Sequence, residues 1–291
     1  MKMLSLCSGI GGADLAAKWA GIQVVGQVEI DTFCTRVLQQ HWPQVRRMRD
    51  IREVRGDEFG EIDLLVGGFP CQPFSQAGKR KGRSDERNLW PEIRRILGKM
   101  HPRWFVGENV PGLLSVDAGR VFGGIIADLD ALGYDVAWAV YGAHEIGAPH
   151  RRDRLFFVAY SGCEQSQRRG SIGELEAKKR SSSEKGPQWE RVWNAAEHSC
   201  AVLCPCTSTG CSAAQPRVGR VPYGLPARMD RYQWPARPGE PQHLWEPPRT
   251  TTQRSPNRAK RLKALGNAIV PQQIYPIFQE IVRLEAAYAE K

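Results

Sequence analysis

The stretch that decides the fold is residues 2–29, KMLSLCSGIGGADLAAKWAGIQVVGQVE. Its two ends, Lys2–Leu6 and Gln23–Val28, are short β-type runs. The segment between them opens on a glycine-rich turn and continues with the apolar spacing of a helix. A strand, a turn without side chains, a helix and a second strand form one unit of a parallel sheet. The stretch predicts an α/β fold with a ligand-binding turn after its first strand.

The same alternation continues to about residue 160. It predicts further strands at residues 62–66, 104–107, 136–141 and 155–159, and helices at residues 13–20, 32–40, 92–100 and 121–132. This order is typical of a doubly wound, Rossmann-like sheet. We therefore expect residues 1–160 to form one domain, with any catalytic and cofactor-binding residues at the carboxyl ends of its strands, where open α/β sheets place their sites.

The character of the sequence changes after Tyr160. Residues 161–257 are rich in Ser, Pro, Gly, Arg and Trp and lack a sustained period, which predicts a small irregular domain or surface loops. Helical spacing returns at residues 274–288, and such an apolar face needs a partner. We expect residues 161–260 to be an insertion and residues 261–291 to return to the first domain.

Composition narrows the class of protein. The chain has 41% hydrophobic and 25% charged residues, no apolar run of membrane-spanning length and no signal-peptide pattern near Met1. We expect a cytoplasmic protein without membrane contact, whose eight cysteines are reduced thiols.

The net charge of +10 is uneven. Residues 1–156 carry 21 Lys and Arg against 19 Asp and Glu, and the remainder carries 20 against 12. This excess suits a surface that meets a polyanion such as DNA, although a merely soluble basic face explains it about as well.

Acidic residues follow the second strand and a possible further strand that ends just before Asp50. Glu29, eighteen residues beyond Gly11, is placed to accept hydrogen bonds from ribose hydroxyls. Asp50 and Ile51 could bind an adenine amine and its ring, but a helix-capping Asp50 fits the local sequence equally well. A glycine-rich turn alone is also compatible with a structural turn or with another nucleotide site.

Residues suited to nucleophilic chemistry follow the later strands. Cys71 comes after the strand at residues 62–66, and Glu108 comes after the strand at residues 104–107. Arg152 and Arg154 precede the last strand, so these features are predicted to converge on one edge of the sheet. Arginines near Cys71 would lower the thiol pKa; the alternative is an inert buried thiol and a solvated arginine cluster.

Seven short motifs, in this order, resemble the cytosine-5 DNA methyltransferase family. They are Ser8-Gly-Ile-Gly-Gly12, Glu29-Ile-Asp31, Asp50-Ile51, Pro70-Cys-Gln72, Glu108-Asn-Val110, Arg152-x-Arg154 and Gly266-Asn-Ala-Ile-Val-Pro271. The resemblance covers nearly the whole chain except residues 161–260, where the family's target-recognition region would lie. It implies an S-adenosyl-L-methionine-dependent enzyme that methylates a flipped cytosine in a specific sequence of double-stranded DNA.

The resemblance also implies roles for particular residues. Cys71 would be the nucleophile that adds to C6, Glu108 would bond N3 and the exocyclic amine, and Arg152 and Arg154 would support the base and the cysteine. The cofactor residues would be Cys7, Ser8, Gly9, Ile10, Gly11, Gly12, Glu29, Ile30, Asp50, Ile51, Pro70, Leu89, Asn267 and Ala268. A mobile catalytic loop at residues 72–89 would bring Gln72, Ser75, Lys79, Lys81 and Arg87 to DNA.

Two positions depart from the family pattern. The family often has Phe at the position of Cys7, which puts an aromatic contact to the cofactor in doubt. It often has Gln at the position of His150, whose role is therefore open.

Several questions of partner and substrate stay open at this point. We expect a monomer, with a restriction endonuclease as a partner if the protein serves restriction-modification rather than a phage or solitary role. RNA is an alternative substrate, and a non-catalytic DNA-binding protein is an alternative class. Cys200, Cys204, Cys206 and Cys211, beside His198, could hold zinc, but their spacing lacks a paired Cys-x-x-Cys, so we expect no metal.

Overall fold

The computed structural model describes residues 1–70, 88–148, 150–161 and 256–289, with residues 239, 241, 243 and 244. Within these residues the strands are β1 (Lys2–Leu6), β2 (Gln23–Val28), β3 (Arg46–Met48), β4 (Leu64–Gly68), β5 (Trp104–Asn109), β6 (Tyr134–Tyr141) and β7 (Arg154–Ser161). The α-helices are α1 (Gly12–Trp19), α2 (Thr32–His41), α3 (Trp90–Met100), α4 (Arg120–Ala131), α5 (Arg258–Asn267) and α6 (Pro271–Ala289).

The strands form one mixed sheet in the order β3-β2-β1-β4-β5-β7-β6. The first five of these strands are parallel neighbours, whereas β7 runs antiparallel to both β5 and β6. The carboxyl ends of β1, β2, β4 and β5 therefore share an edge with the amino end of β7. That edge carries the motifs that the sequence analysis singled out.

Alternating side chains of the sheet pack against helices on both faces. On one face, Leu4, Leu6 and Phe105 belong to the core that contains α3 and α4. On the other, Met3 and Val106 belong to the core that contains α1 and α6. Because successive strand residues point to opposite faces, β1 serves both cores. The predicted doubly wound Rossmann-like architecture is confirmed.

The bounds of β1 and β2 agree with the prediction, and the other predicted elements shift by a few residues. Helix α6 begins at Pro271, a residue tolerated at the first helical position because it needs no N–H bond there. Its apolar face packs beside α1. No helix in the described part of the chain is long and apolar enough to cross a membrane.

Helix α5 was not predicted, because its sequence RAKRLKALGN has no continuous apolar stripe. Ala264 is its buried residue, whereas Leu262 and Leu265 are more than half exposed. The expected domain boundary at residue 260 falls inside this helix.

Candidate active site

A carboxylate and a guanidinium form a buried pair at the shared edge. Glu108 lies near the end of β5 and is 8% exposed, and Arg154 begins β7. Arg154 Nε lies 2.9 Å from Glu108 Oε1. Burial raises the pKa of Glu108 to about 7, and the charges of Arg154 and then Arg152 oppose that rise. The site thus holds a carboxyl group that can be protonated near neutral pH.

Arg152 points in another direction from Arg154. Its backbone is left-handed, with φ of 43°, and its Nη2 donates to the carbonyl oxygens of Gly266 at 2.8 Å and Ala268 at 2.5 Å. The arginine therefore fastens the connection between α5 and α6 to the sheet edge. It remains close enough to Glu108 to influence its pKa.

The chain leading to Cys71 starts beside the carboxylate. Gly68 pairs with Glu108 in the β4–β5 register, and a Cβ at Gly68 would lie 3.2 Å from Glu108 Oε2. The buried Asn109 side chain donates from Nδ2 to the carbonyl oxygen of Phe69 at 2.9 Å. Pro70 follows, and Cys71 is the next residue in the sequence.

The predicted nucleophile and the loop after it lie outside the described residues. This applies to Cys71, Gln72, Ser75, Lys79, Lys81 and Arg87. Asn109 is a contact that the sequence analysis missed, although it stands inside the Glu108-Asn-Val motif. A signal was available, since an Asn beside a predicted catalytic Glu can fix a neighbouring loop through its amide.

The glycine-rich turn combines an open residue with two crowded ones. Gly9 donates its N–H to Glu29 Oε2 at 2.7 Å, and a Cβ there would meet nothing within 4 Å. At Gly11, which has φ of 86°, a Cβ would meet the Trp42 ring at 2.4 Å. At Gly12 it would meet the Ile269 carbonyl oxygen at 2.0 Å. Gly9 is the position open to a ligand, while Gly11 and Gly12 allow close packing.

The acidic residue after β2 is held in place by backbone amides. Glu29 Oε1 accepts the N–H of Asp31 at 2.8 Å, besides the bond from Gly9 to Oε2. The neighbouring Ile30 is 63% exposed. An anchored carboxylate beside an exposed apolar side chain is suited to ribose hydroxyls and an aromatic ring.

Three other predicted cofactor residues, Asp50, Ile51 and Leu89, make local or core contacts. Asp50 Oδ1 accepts the N–H of Arg52 at 3.0 Å, so Asp50 caps the short 3₁₀ turn Ile51–Glu53. Ile51 is buried in the core, and Leu89 packs against that core. Local capping, the alternative weighed for Asp50, is therefore present.

Two further predicted residues, Ser8 and Cys7, begin the turn. Ser8 donates its N–H to the Val28 carbonyl oxygen at 3.1 Å, which joins the ends of β1 and β2. Burial raises the pKa of the Cys7 thiol to about 12, and the charge of Glu29 adds to that rise. Cys7 is accordingly protonated at neutral pH.

A cleft of about 850 Å³ lies between the glycine-rich turn and the sheet edge that carries Arg152 and Arg154. Its walls include Ile10, Gly11 and Gly12 from the turn, Arg152 and Arg154 from the edge, and Ala268 to Pro271 from the C-terminal connection. Ala268 is thus placed beside the glycine turn, while Asn267, the last residue of α5, is exposed. The volume lies in the range of cofactor and ligand pockets.

His150 also lines this cleft. Burial lowers the pKa of His150, and the positive charge of Arg152 lowers it further. The imidazole is consequently neutral at neutral pH. Zinc binding by the cysteine cluster is not tested, because Cys200, Cys204, Cys206, Cys211 and His198 lie outside the described residues.

These residues fit S-adenosylmethionine. The open Gly9, the anchored Glu29 and the exposed Ile30 offer the backbone approach, the ribose acceptor and the apolar surface that an adenosyl group needs. The buried Arg152 Nε, which lacks a hydrogen-bond partner among the described atoms, could also face a carboxylate.

The fold and the site together indicate the class of protein. A doubly wound sheet with a glycine turn and a carboxylate after its first two parallel strands is typical of α/β enzymes that bind an adenosyl cofactor. The chain belongs to the C-5 cytosine-specific DNA methylase family, whose family model matches residues 1–205.

Curated relatives include bacterial enzymes of this kind. The type II methyltransferase M.BsuFI of Bacillus subtilis is 35% identical over 161 residues, which are 55% of this chain and 39% of that protein. M.NgoMIV of Neisseria gonorrhoeae is 36% identical over 157 residues, 54% of this chain and 50% of that protein. The chain thus spans about half the length, or less, of these relatives.

Solved structures with a partial likeness include two DNMT2 proteins. A variant from Spodoptera frugiperda is 26% identical with a TM-score of 0.48, covering 55% of this chain and 50% of that one. Dnmt2 from S. pombe is 21% identical with a TM-score of 0.47, covering 60% and 57%.

Proposed function

We propose that the protein is a DNA (cytosine-5)-methyltransferase that moves a methyl group from S-adenosylmethionine to C5 of a cytosine flipped out of duplex DNA. Membership of the family supports the class of reaction. The observation that carries the proposal is the buried Glu108–Arg154 pair, which adjoins the segment that leads to Cys71. A carboxyl group with a pKa near neutrality can donate a proton to a nucleobase or accept one from it.

Base flipping is required because the target atoms of cytosine are inaccessible within the stacked duplex. In the flipped state, Glu108 would bond N3 and the exocyclic amine. Its pKa of about 7 leaves a substantial protonated fraction at neutral pH, so the carboxyl group can donate to N3. Arg154 would fix the orientation of the Glu108 carboxyl group by donating from Nε to Oε1.

Cys71 would act as the nucleophile. Its thiolate forms a bond to C6, and the electrons of the C5–C6 double bond are displaced into the ring, where Glu108 stabilises them at N3. The bond from C5 to the methyl group would then form as the bond from the methyl group to the sulfonium sulfur breaks, which leaves a neutral thioether. Transfer of the C5 proton to solvent would return the C–H electrons to the C5–C6 double bond, release the Cys71 thiolate from C6, and let the N3 proton return to Glu108.

The cofactor would lie at the glycine turn. S-adenosylmethionine supplies the electrophilic methyl group on a sulfonium. Because Gly9 has no side chain, the cofactor could approach the backbone there. Glu29 would accept hydrogen bonds from the ribose hydroxyls, and Ile30 would cover the adenine ring. Ala268, beside the same turn, would contact the opposite end of the cofactor.

The remaining features belong to the DNA side of the proposal. Residues 161–260 would read the target sequence, and the cations Lys79, Lys81 and Arg87 would contact phosphates. The protein would act as a cytoplasmic monomer, and a cognate restriction endonuclease would accompany it in a restriction-modification role.

The test is expression of the chain in a bacterium without cytosine-5 methylation, followed by sequencing of 5-methylcytosine. Methylation confined to one sequence motif is the expected result, and an unmodified genome would contradict the proposal. With purified protein, radiolabelled methyl transfer to duplex DNA should exceed transfer to transfer RNA. The reverse preference would assign an RNA substrate.

The covalent step has its own test. Duplex DNA containing 5-fluorocytosine should trap Cys71 in the presence of the methyl donor, because fluorine at C5 cannot leave as a proton does. A Cys71→Ser variant should bind DNA but neither trap nor methylate it. Peptide mass spectrometry would locate the adduct, and modification elsewhere would remove Cys71 from the mechanism.

A further inference from the structure

Gln273 is a buried polar residue that neither the motifs nor the proposed mechanism uses. It lies in the first turn of α6, has an exposed fraction of 0%, and is followed by the apolar residues that pack on the sheet. Burying a side-chain amide is unfavourable unless its hydrogen bonds are made inside the protein. The position of its partners therefore indicates what the residue does.

The amide bridges the point where β6 ends and β7 begins. Gln273 Nε2 donates to the carbonyl oxygen of Tyr141 at 3.2 Å and to that of Arg152 at 3.1 Å. Tyr141 is the last residue of β6 and is the register partner of Arg154. The Tyr141 hydroxyl donates in return to the carbonyl oxygen of Gln273. The amide thus fixes the end of β6 and the backbone just before β7.

The backbone that Gln273 contacts leads directly to Arg154, the partner of Glu108. Arg152 has a left-handed conformation, which an L-residue adopts only when surrounding contacts hold it. Its side chain donates to the carbonyl oxygens of Gly266 and Ala268, while its own carbonyl oxygen accepts a hydrogen bond from Gln273 Nε2. The α5–α6 connection and the start of β7 are therefore tied together by bonds running in both directions.

Arg154 stands two residues after Arg152 and contacts Glu108 at 2.9 Å. We propose that Gln273 is a positioning residue for methyl transfer, and that its amide holds the 152–154 backbone so that Arg154 stays aligned with Glu108. The inference rests on the proposed function, because it assigns Gln273 a part in that reaction. It goes beyond the motifs, since Gln273 lies after the last motif residue, Pro271.

The test uses Gln273→Met in the full chain, which keeps an unbranched side chain of similar length but removes both donated bonds. The control is Gln272→Met, a half-buried neighbour in the same turn. We expect kcat to fall about tenfold to a hundredfold in Gln273→Met, because small displacements of catalytic groups have effects of this size. The control should keep the wild-type kcat.

A pH profile separates positioning from mere stabilisation. Among the described groups, Arg154 and Arg152 change the pKa of Glu108, and the charge of Glu108 contributes to the raised pKa of Tyr141. Both arginines lower the pKa of Glu108, so loosening them should raise it and move the alkaline limb of the kcat profile to higher pH. A purely structural role would lower the melting temperature and leave that limb in place.

The outcomes are distinct. A folded Gln273→Met with an unmoved limb overturns the inference, whether or not its kcat falls. If Gln273→Met does not fold, Gln273→Asn gives the same measurement, since its shorter polar side chain cannot reach the Arg152 carbonyl. Failure of the proposed function itself would show as a wild-type protein without methyl transfer.

Discussion

Two buried carboxyl groups in this molecule differ in what surrounds them. Glu108, at the carboxyl edge of the sheet, is paired with Arg154 beside the cleft. Asp14, in the first turn of α1, has no exposed surface and accepts from Gln27 Nε2 at 2.7 Å and from the Ser5 hydroxyl at 3.2 Å. Burial raises the pKa of Glu108 to about 7 and that of Asp14 to about 6.

A raised pKa alone therefore does not mark a reactive group. Glu108 lies where β4, β5 and β7 meet, and its partner Arg154 lines the cleft. Asp14 lies between β1, β2 and α1, where its neutral partners join the strands to the helix behind the glycine turn. We therefore infer a chemical role for Glu108 and a structural one for Asp14.

The largest effect should come from Glu108→Gln, which keeps the shape of the side chain but removes its acid. Methyl transfer should fall by about 10² to 10⁴, the usual contribution of a positioned general acid. Steady-state rates with radiolabelled S-adenosylmethionine measure this. DNA binding should survive, and a rate within threefold of the wild type would remove Glu108 from the chemistry.

A second comparison concerns the two sides of the glycine turn. Gly12→Ala places a Cβ against the Ile269 carbonyl oxygen, so the free energy of unfolding should fall by about 1–3 kcal/mol, the typical cost of overpacking. Urea denaturation measures the loss. Gly9→Ala enters open space, so its cost should be the smaller strain of about 1 kcal/mol at a positive φ. Equal losses would show that crowding by Ile269 is unimportant.

The smallest effect on activity should come from Asp14→Asn, whose methyl transfer should stay within threefold of the wild type. Its effect is on stability against pH. The pKa of Asp14 is raised in the fold, so its favourable contribution is complete below pH 3.8 and is lost as pH rises through about 6.

The Asn side chain does not titrate and escapes that loss. Between pH 4 and pH 7, the unfolding free energy of Asp14→Asn should gain about 2–3 kcal/mol relative to the wild type. Chemical denaturation at a series of pH values measures this gain. Parallel curves for the two proteins would show that Asp14 titrates normally in the fold.

Much of the fold could be predicted from periodicity. The strands at Lys2–Leu6 and Gln23–Val28 were placed correctly because buried parallel strands are apolar runs bounded by turns. Helix α5 was missed because its stability depends on contacts made by Ala264 and on bonds to its C-terminal carbonyl oxygens, not on an apolar stripe.

The location of the candidate site at one sheet edge could also be predicted, but its individual contacts could not. The motifs predicted that Glu108 and the two arginines would share an edge, and the structure brings Glu108 and Arg154 together. The direction of the Arg152 side chain could not be predicted, because it depends on carbonyl groups more than a hundred residues away. Asn109 and Gln273 contribute contacts whose partners are likewise distant in the sequence.

Residue type and local spacing were sufficient to predict most of the strands and helices, the family and the chemical identity of the candidate groups. Tertiary structure alone decided which glycine stays open, which carboxyl group meets an arginine and where Arg152 points. Those properties depend on burial and on partners brought together by folding, and neither is encoded in any short stretch of the chain.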